Sequence, residues 1–295
     1  MPQPSLKALA LAERYHLGLR TAPTFASGAG SMSNTDGASV EFSDHRDYLP
    51  GDEVRHIDWR AYARSDRLMI KRWRKETRPY LDLLIDVSAS MAVHESKASM
   101  AVDLAALLTR SALADGMAVR VLQIAERPER ISAEHLAGEG LEFNGRVPLT
   151  QTLPGALLQL RGGAVVMLIS DFLFPHDAGP MIRSLAARSS NLALVQVLSK
   201  DDAEPEAGTA LRLQDAENDT FVDVVLDKSA LTRYQRRLSA LTDGLRDECR
   251  RVGGRFVSIR SDRDLEKQCN EELLGAGILA MVEHQQRRIQ VIIIL

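Results

Sequence analysis

The chain predicts an α/β fold: a mostly parallel sheet with helices on both faces, preceded by a small N-terminal β-rich module. Two observations lead there. From residue 80 onward, apolar segments of strand length alternate with longer segments of helical period, the pattern of successive strand–helix units. Before residue 80 the texture differs, with short polar–apolar alternations and a Pro50-Gly51-Asp52 turn.

Taken in order, residues 5–20 carry Leu6, Leu9, Ala10 and Leu17 at roughly helical spacing, which predicts an amphipathic N-terminal helix. Ala26 to Ser31 reads as a loop by composition. Within 38–79, Met69-Ile70-Lys71-Arg72-Trp73 reads as a strand. Strands then fit at 81–86, 117–124, 164–170, 191–198 and 255–260, and helices at about 96–114, 153–161, 177–189 and 228–252. The first of these helices places Ala98, Val102, Ala105, Leu108 and Ala112 on one face, and Asp115-Gly116 stops it. Residues 209–225 read as an inserted hairpin turning at Asp215–Asp219, and Val291-Ile292-Ile293-Ile294-Leu295 as a terminal strand. The domains expected are 1–24, an N-terminal helix; 25–79, the β-rich module; 80–263, the α/β domain; and 264–295, a C-terminal helix and strand.

With 295 residues, 45% apolar and 26% charged, the composition is that of an ordinary globular chain. A formal charge of −3 exerts no global pull toward nucleic acid or an anionic membrane. Cys249 and Cys269 have neither CxxC nor metal-ligand spacing, so reduced thiols are expected. The N-terminal segment mixes Lys7, Glu13, Arg14 and Arg20 with its apolar residues, unlike a secretory signal. No run approaches the ~20 apolar residues that span a bilayer. The expectation is a cytoplasmic protein with no membrane span and no nucleic-acid partner. The basic run Lys71-Arg72-Trp73-Arg74-Lys75, broken by Glu76, reads as the solvated face of one strand, with a face for an acidic partner as the alternative.

In an open parallel sheet, sites form beyond the carboxyl ends of the strands. Asp86, Ser88 and Ser90 stand there after the first core strand, at alternate positions that let three oxygens converge. Asp171 follows a second core strand at the same edge, and Thr150-Gln151-Thr152 forms an oxygen-bearing loop that opens the next helix. Asp-x-Ser-x-Ser alone is ordinary capping and turn chemistry. Asp171 and Thr152 tilt the balance toward an ion site. Carboxylates and hydroxyls without His or Cys form a hard-ligand set, suited to Mg²⁺ or Mn²⁺ rather than zinc or copper.

Asp86-Val87-Ser88-Ala89-Ser90-Met91, Thr152 ahead of Gly155-Ala156-Leu157, and Ser170-Asp171 resemble the metal-ion-dependent adhesion site of von Willebrand factor A domains. The resemblance implies a von Willebrand A-like, Rossmann-like sheet. It implies Ser88, Ser90 and Thr152 as ion ligands, with Asp86 and Asp171 acting directly or through water, and a sixth position open to a partner's acidic residue. Gln151 stands where that family often has glycine, which leaves Thr150 as a rival to Thr152, and Phe172 replaces the usual glycine after the second aspartate. Upstream, Arg46-Asp47-Tyr48-Leu49-Pro50-Gly51-Asp52-Glu53-Val54-Arg55-His56-Ile57-Asp58-Trp59, then Ala63-Arg64, is similar to the signature of domain-of-unknown-function family 58. Those bacterial proteins join this signature to a von Willebrand A-like region and accompany MoxR-type AAA+ ATPases, which implies an adaptor or co-chaperone.

Read from the residues, Arg55, Asp58 and Arg64 are expected to form an ion-pair network with Trp59 as a buried anchor. The alternative makes the signature a docking face, and Asp52 and Asp58 stand open between the two readings. The expected function is a non-enzymatic, metal-dependent binding module. A Mg²⁺-dependent phosphohydrolase is the rival, though Ser88 stands where such an enzyme carries its second aspartate. A metal-free scaffold is the third possibility.

Overall fold

The computed structural model describes residues 1–19, 25–27, 40–75, 79–174, 177–205, 210–214, 221–225 and 227–282. The chain divides into two units, Met1–Arg20 with Tyr80–Leu295, and Thr21–Pro79. The N-terminal helix and the segment after 263 therefore belong to the larger unit.

That unit is built on six strands: β1 (Tyr80–Asp86), β2 (Ala118–Ile124), β3 (Pro128–Ile131), β4 (Ala164–Ser170), β5 (Ser189–Leu198) and β6 (Arg255–Arg260). Their order is β6-β5-β4-β1-β2-β3, parallel throughout except for β3, which runs antiparallel to β2 at one edge. The four main helices are α1 (Glu95–Ala114), α2 (Leu149–Gln159), α3 (Gly179–Ala186) and α4 (Lys228–Arg251). Every residue of β4 is buried, as a central parallel strand covered on both faces requires.

Alternation along the strands separates two cores. Leu81, Leu83, Ile85, Val165, Met167 and Ile169 face α1, whereas Leu84, Val166 and Leu168 face α2, α3 and α4. Each fully buried aliphatic side chain contributes roughly 1.5–3 kcal/mol.

Several elements depart from the sequence reading. The N-terminal helix spans only Leu6–Leu11, capped by Ser5, whose hydroxyl accepts from the Ala8 amide at 3.1 Å. Tyr15–Leu17 then pairs antiparallel with Leu279–Met281, which buries Tyr15 and Leu17 and leaves Leu6 exposed. Phe25–Ser27 is a strand where a loop was expected. The edge strand β3 and the short helix Ala133–Gly138 were not anticipated. Pro128 opens β3, a position where the ladder needs no amide donor. The hairpin strands Ala210–Gln214 and Phe221–Val225 pair antiparallel, and their turn and the 291–295 segment lie outside the described residues. Cys249 and Cys269 are free and buried, and burial pushes both thiols up to about 12.

The smaller unit has a three-stranded antiparallel sheet in which Met69–Lys75 lies between Phe25–Ser27 and Val40–Asp47. It also carries the helix Trp59–Ser65.

Candidate functional site

β1 and β4 are neighbours, with Ile85 opposite Ile169, so the loops that follow them leave the same sheet edge side by side. From β1 the strand order runs to β2 and β3 on one side and to β4, β5 and β6 on the other. This is the topological switch point, where doubly wound sheets form their sites.

Asp86 ends β1 with both carboxylate oxygens engaged. One accepts from the Ser88 amide at 2.9 Å and the other from the Ser170 hydroxyl at 2.6 Å, which ties β1 to the end of β4. The Ser88 and Ser90 hydroxyls hydrogen-bond each other, with their oxygens 3.0 Å apart. Asp86 and Ser88 are buried, and Ser90 is half-buried. Asp171 is buried too, and one of its oxygens accepts from the Leu173 amide at 3.0 Å. Phe172 takes a left-handed φ of 54°. The loop thus keeps a glycine-like conformation with a phenylalanine in place. That conformation costs roughly 1–2 kcal/mol, offset by complete burial of the ring and by the Phe172 amide donating to the Ser170 hydroxyl at 3.0 Å.

Thr152 lies inside the first turns of α2 rather than in a loop ahead of the helix. Its hydroxyl donates to the Leu149 carbonyl at 3.3 Å, whereas the Thr150 hydroxyl is buried without a partner. No hydrogen bond joins either threonine to Asp86, Ser88, Ser90 or Asp171. The link runs through the backbone ahead of α2. Gly145 donates to the Val87 carbonyl at 3.0 Å and accepts from the Ala89 amide at 2.8 Å. A Cβ on Gly145 would stand 3.2 Å from that Val87 oxygen, tighter than ordinary contact, so glycine lets the two segments approach.

Lys97, in the first turn of α1, was missed by the sequence reading. Only 1% exposed, its ammonium donates to Asp171 at 2.7 Å and to the Ser90 carbonyl at 3.2 Å, and sits 3.1 Å from Asp202. Asp202 follows β5 and forms a capping box with Ser199. The available signal was Lys97 on the same helical stripe as Ala101, Leu104 and Leu108, all buried. Gln196 of β5 completes the surroundings by donating to the Asp171 carbonyl at 3.0 Å.

Charge follows from this geometry. Burial first, then the neighbouring Asp171, push Asp86 up to about 6. Burial works against the Lys97 ammonium, but Asp171 and Asp202 outweigh it and its pKa is raised. Burial likewise opposes the Asp202 carboxylate, and Lys97 together with the hydrogen bonds from Ser199 outweighs it to lower the pKa. Asp171 and Asp202 face the one Lys97 ammonium, while Asp86 takes its hydrogen bonds from Ser88 and Ser170, so the cluster holds more carboxylates than that ammonium offsets.

Among the described residues no three His, Cys, Asp or Glu side chains converge as a metal-ligand group, so an ion here would depend on hydroxyls. The donor chemistry fits a hard divalent cation. Adjacent corners of an octahedron with ~2.1 Å metal–oxygen bonds stand about 3 Å apart, the spacing of the Ser88 and Ser90 oxygens.

In the smaller unit the expected network does not form. Asp58 is buried, pairs with His45 at 2.8 Å and caps the helix through the Arg60 and Ala61 amides. Arg55 pairs with Glu53, and Arg64 donates to the Arg60 carbonyl. Trp59 is 56% exposed rather than buried, because the first position of this helix turns its ring outward, edge-on to Tyr62. Arg46 instead grips Asp52 with two bonds of 2.7 Å, and Asp52 accepts from the Leu49 amide at 2.9 Å. That grip, with the Leu49 amide, holds the Asp52 carboxyl down at about 2. The turn between them needs Gly51, whose φ is 107°. The Tyr48 amide donates to the Leu68 carbonyl, and Pro50 sits exposed at the tip.

A doubly wound α/β sheet with an oxygen-rich switch point, joined to a turn-bearing β module, is the class of protein these features define. The chain belongs to the family described as protein of unknown function DUF58, which matches residues 44–242, well over half of it. Similar chains include uncharacterized protein Mb1516 of Mycobacterium bovis and uncharacterized protein Rv1480 of Mycobacterium tuberculosis. Each is 27% identical over 252 residues, covering 77% of this chain and 77% of the relative. Among solved structures, an aerotolerance-related membrane protein from Bacteroides fragilis is 14% identical, covering 67% of this chain and 99% of that one, with a TM-score of 0.36. The conserved hypothetical protein BatB from Bacteroides thetaiotaomicron is 15% identical over 65% of this chain and 94% of its own, with a TM-score of 0.38. Scores this low add nothing to the fold, which rests on the strand order itself. Among the described residues no helix is long and apolar enough to cross a membrane.

Proposed function

We propose that this chain is a non-enzymatic protein-binding module whose sheet edge takes one divalent cation, Mg²⁺ or Mn²⁺. The ligand set is Asp86, Ser88, Ser90, Thr152 and Asp171, in the manner of the metal-ion-dependent adhesion site of von Willebrand factor A domains. The observation that carries the reading is the 3.0 Å spacing of the Ser88 and Ser90 oxygens beside a buried, under-compensated Asp86. The Rossmann-like strand order supports it as well.

Ser88 and Ser90 would hold the ion directly, while Asp86 and Asp171 supply negative charge from positions fixed by their hydrogen bonds. Thr152, with lone pairs to spare beyond its bond to Leu149, and the unpartnered Thr150 are the two choices for a third hydroxyl. A hard ion with one position left over selects a carboxylate, so the natural occupant is an Asp or Glu of a protein partner. Family resemblance supplies that partner's class, a MoxR-type AAA+ ATPase, with this chain as adaptor or co-chaperone. Phosphohydrolysis is less well supported, because both Asp86 oxygens already accept hydrogen bonds.

Titration calorimetry tests the ion, and a pull-down against a MoxR-type ATPase tests the partner. Wild type is expected to give a heat with Mg²⁺ that Ser88→Ala abolishes, and to lose the ATPase when chelator is added. Silence from wild type would remove the ion. Capture that ignores both chelator and Asp86→Ala would remove it from the mechanism.

A further inference from the structure

We propose that Lys97 and Asp202, neither of them a ligand, set the charge of this site, so that it stands assembled without metal and takes a divalent ion reversibly. The inference rests on the ion reading above and adds the residues that control affinity.

The geometry makes Lys97 a fixed cross-link among three segments. Its ammonium reaches Asp171 after β4, Asp202 after β5 and the Ser90 carbonyl after β1, at 2.7, 3.1 and 3.2 Å. It starts from α1, so it fastens that helix to the strand ends where the site lies. An ammonium in that place does part of what an ion would do, neutralising carboxylates that would otherwise repel one another across the edge. Asp202 makes the pairing three-sided and is itself held by the Ser199 capping box. Asp86 lies outside the Lys97 contacts; its partners are Ser88 and Ser170. The compensated half of the cluster keeps the loops in place, and the uncompensated half faces the serine hydroxyls.

Two opposite expectations follow. Removing the Lys97 charge leaves a more negative site that binds a divalent ion more tightly but is less stable without one. Removing the Asp202 charge leaves a less negative site that binds more weakly, with the five candidate ligands untouched. Charge coupling at these distances is strong at the effective dielectric of a protein edge, so each change should be at least tenfold.

The test titrates Mg²⁺ into wild type, Lys97→Met and Asp202→Asn, and follows thermal unfolding of each in EDTA and in Mg²⁺. Lys97→Met is expected to bind at least tenfold more tightly, to melt earlier in EDTA and to gain more from Mg²⁺ than wild type does. Asp202→Asn is expected to bind at least tenfold more weakly. Should Lys97→Met fail to fold in EDTA, Asp202→Asn alone decides. Wild-type heat with both variants inside twofold of it would overturn the charge-setting role and leave the ion site standing. No heat from wild type would overturn both.

Discussion

Asp86 is buried with both oxygens hydrogen-bonded, yet burial and Asp171 push its pKa to about 6. The sign of the consequence is set by that direction. In the unfolded chain Asp86 ionises near its ordinary 3.8, while in the folded chain it keeps its proton until about pH 6. Its contribution to stability is therefore fully present below about pH 4 and is lost as the pH rises to about 6, amounting to roughly 3 kcal/mol. Asp86→Asn should flatten the stability of the chelated protein across that window and raise it at neutral pH, as chemical denaturation at several pH values would show. Protons should also displace a bound ion below about pH 6, and a wild-type Mg²⁺ affinity that does not change between pH 7 and 5 would speak against Asp86 as its charge source. The places of Asp86 and Asp171 were legible in sequence because each closes or directly follows an apolar strand, and those of Ser88 and Ser90 because they alternate with Asp86 in the loop beyond it. Lys97 and Asp202 were not, since each arrives from a different segment and only the sheet brings them to Asp171.

At the scale of elements, the strands read well from apolar runs because a doubly covered sheet demands them. Helix starts read poorly. A proline suits a helix's first turn, which made 153 a reasonable beginning for α2. Instead the helix starts at Leu149 with the Gln151 amide donating to the Pro148 carbonyl, and Pro154 lies inside it. That earlier start is what moves Thr150 and Thr152 from a loop into the helix. β1 also carries a buried acid. Asp82, fully buried, receives Arg120 of β2 at 3.0 and 2.6 Å and the Arg161 amide ahead of β4 at 2.8 Å. Asp82→Ala would leave that guanidinium without its buried counter-charge and should cost about 3–5 kcal/mol. Urea unfolding measures it, and a loss below 1 kcal/mol would show the pair to be incidental.

Over the whole molecule, the α/β sheet and the β module were anticipated, while the N-terminal strand was not. Tyr15–Leu17 finds its partner at Leu279–Met281, too distant in sequence for any local pattern to reveal. The family signature proves to be a turn clamp in part, with Arg46, Gly51 and Asp52 holding one another and Asp58 capping a helix. Gly51→Ala should therefore destabilise the smaller unit by roughly 1–2 kcal/mol, seen as faster amide exchange confined to residues near the turn. Uniform protection would mean the turn tolerates the change.

The central claim is that oxygens from separate loops surround one hard cation at the switch point of the sheet. Crystals grown with Mn²⁺ and measured at its absorption edge test it most directly. The account predicts an anomalous peak about 2.1–2.2 Å from both the Ser88 and Ser90 oxygens, lost in Ser88→Ala. A flat map at that edge, in crystals whose solvent holds saturating Mn²⁺, would contradict it.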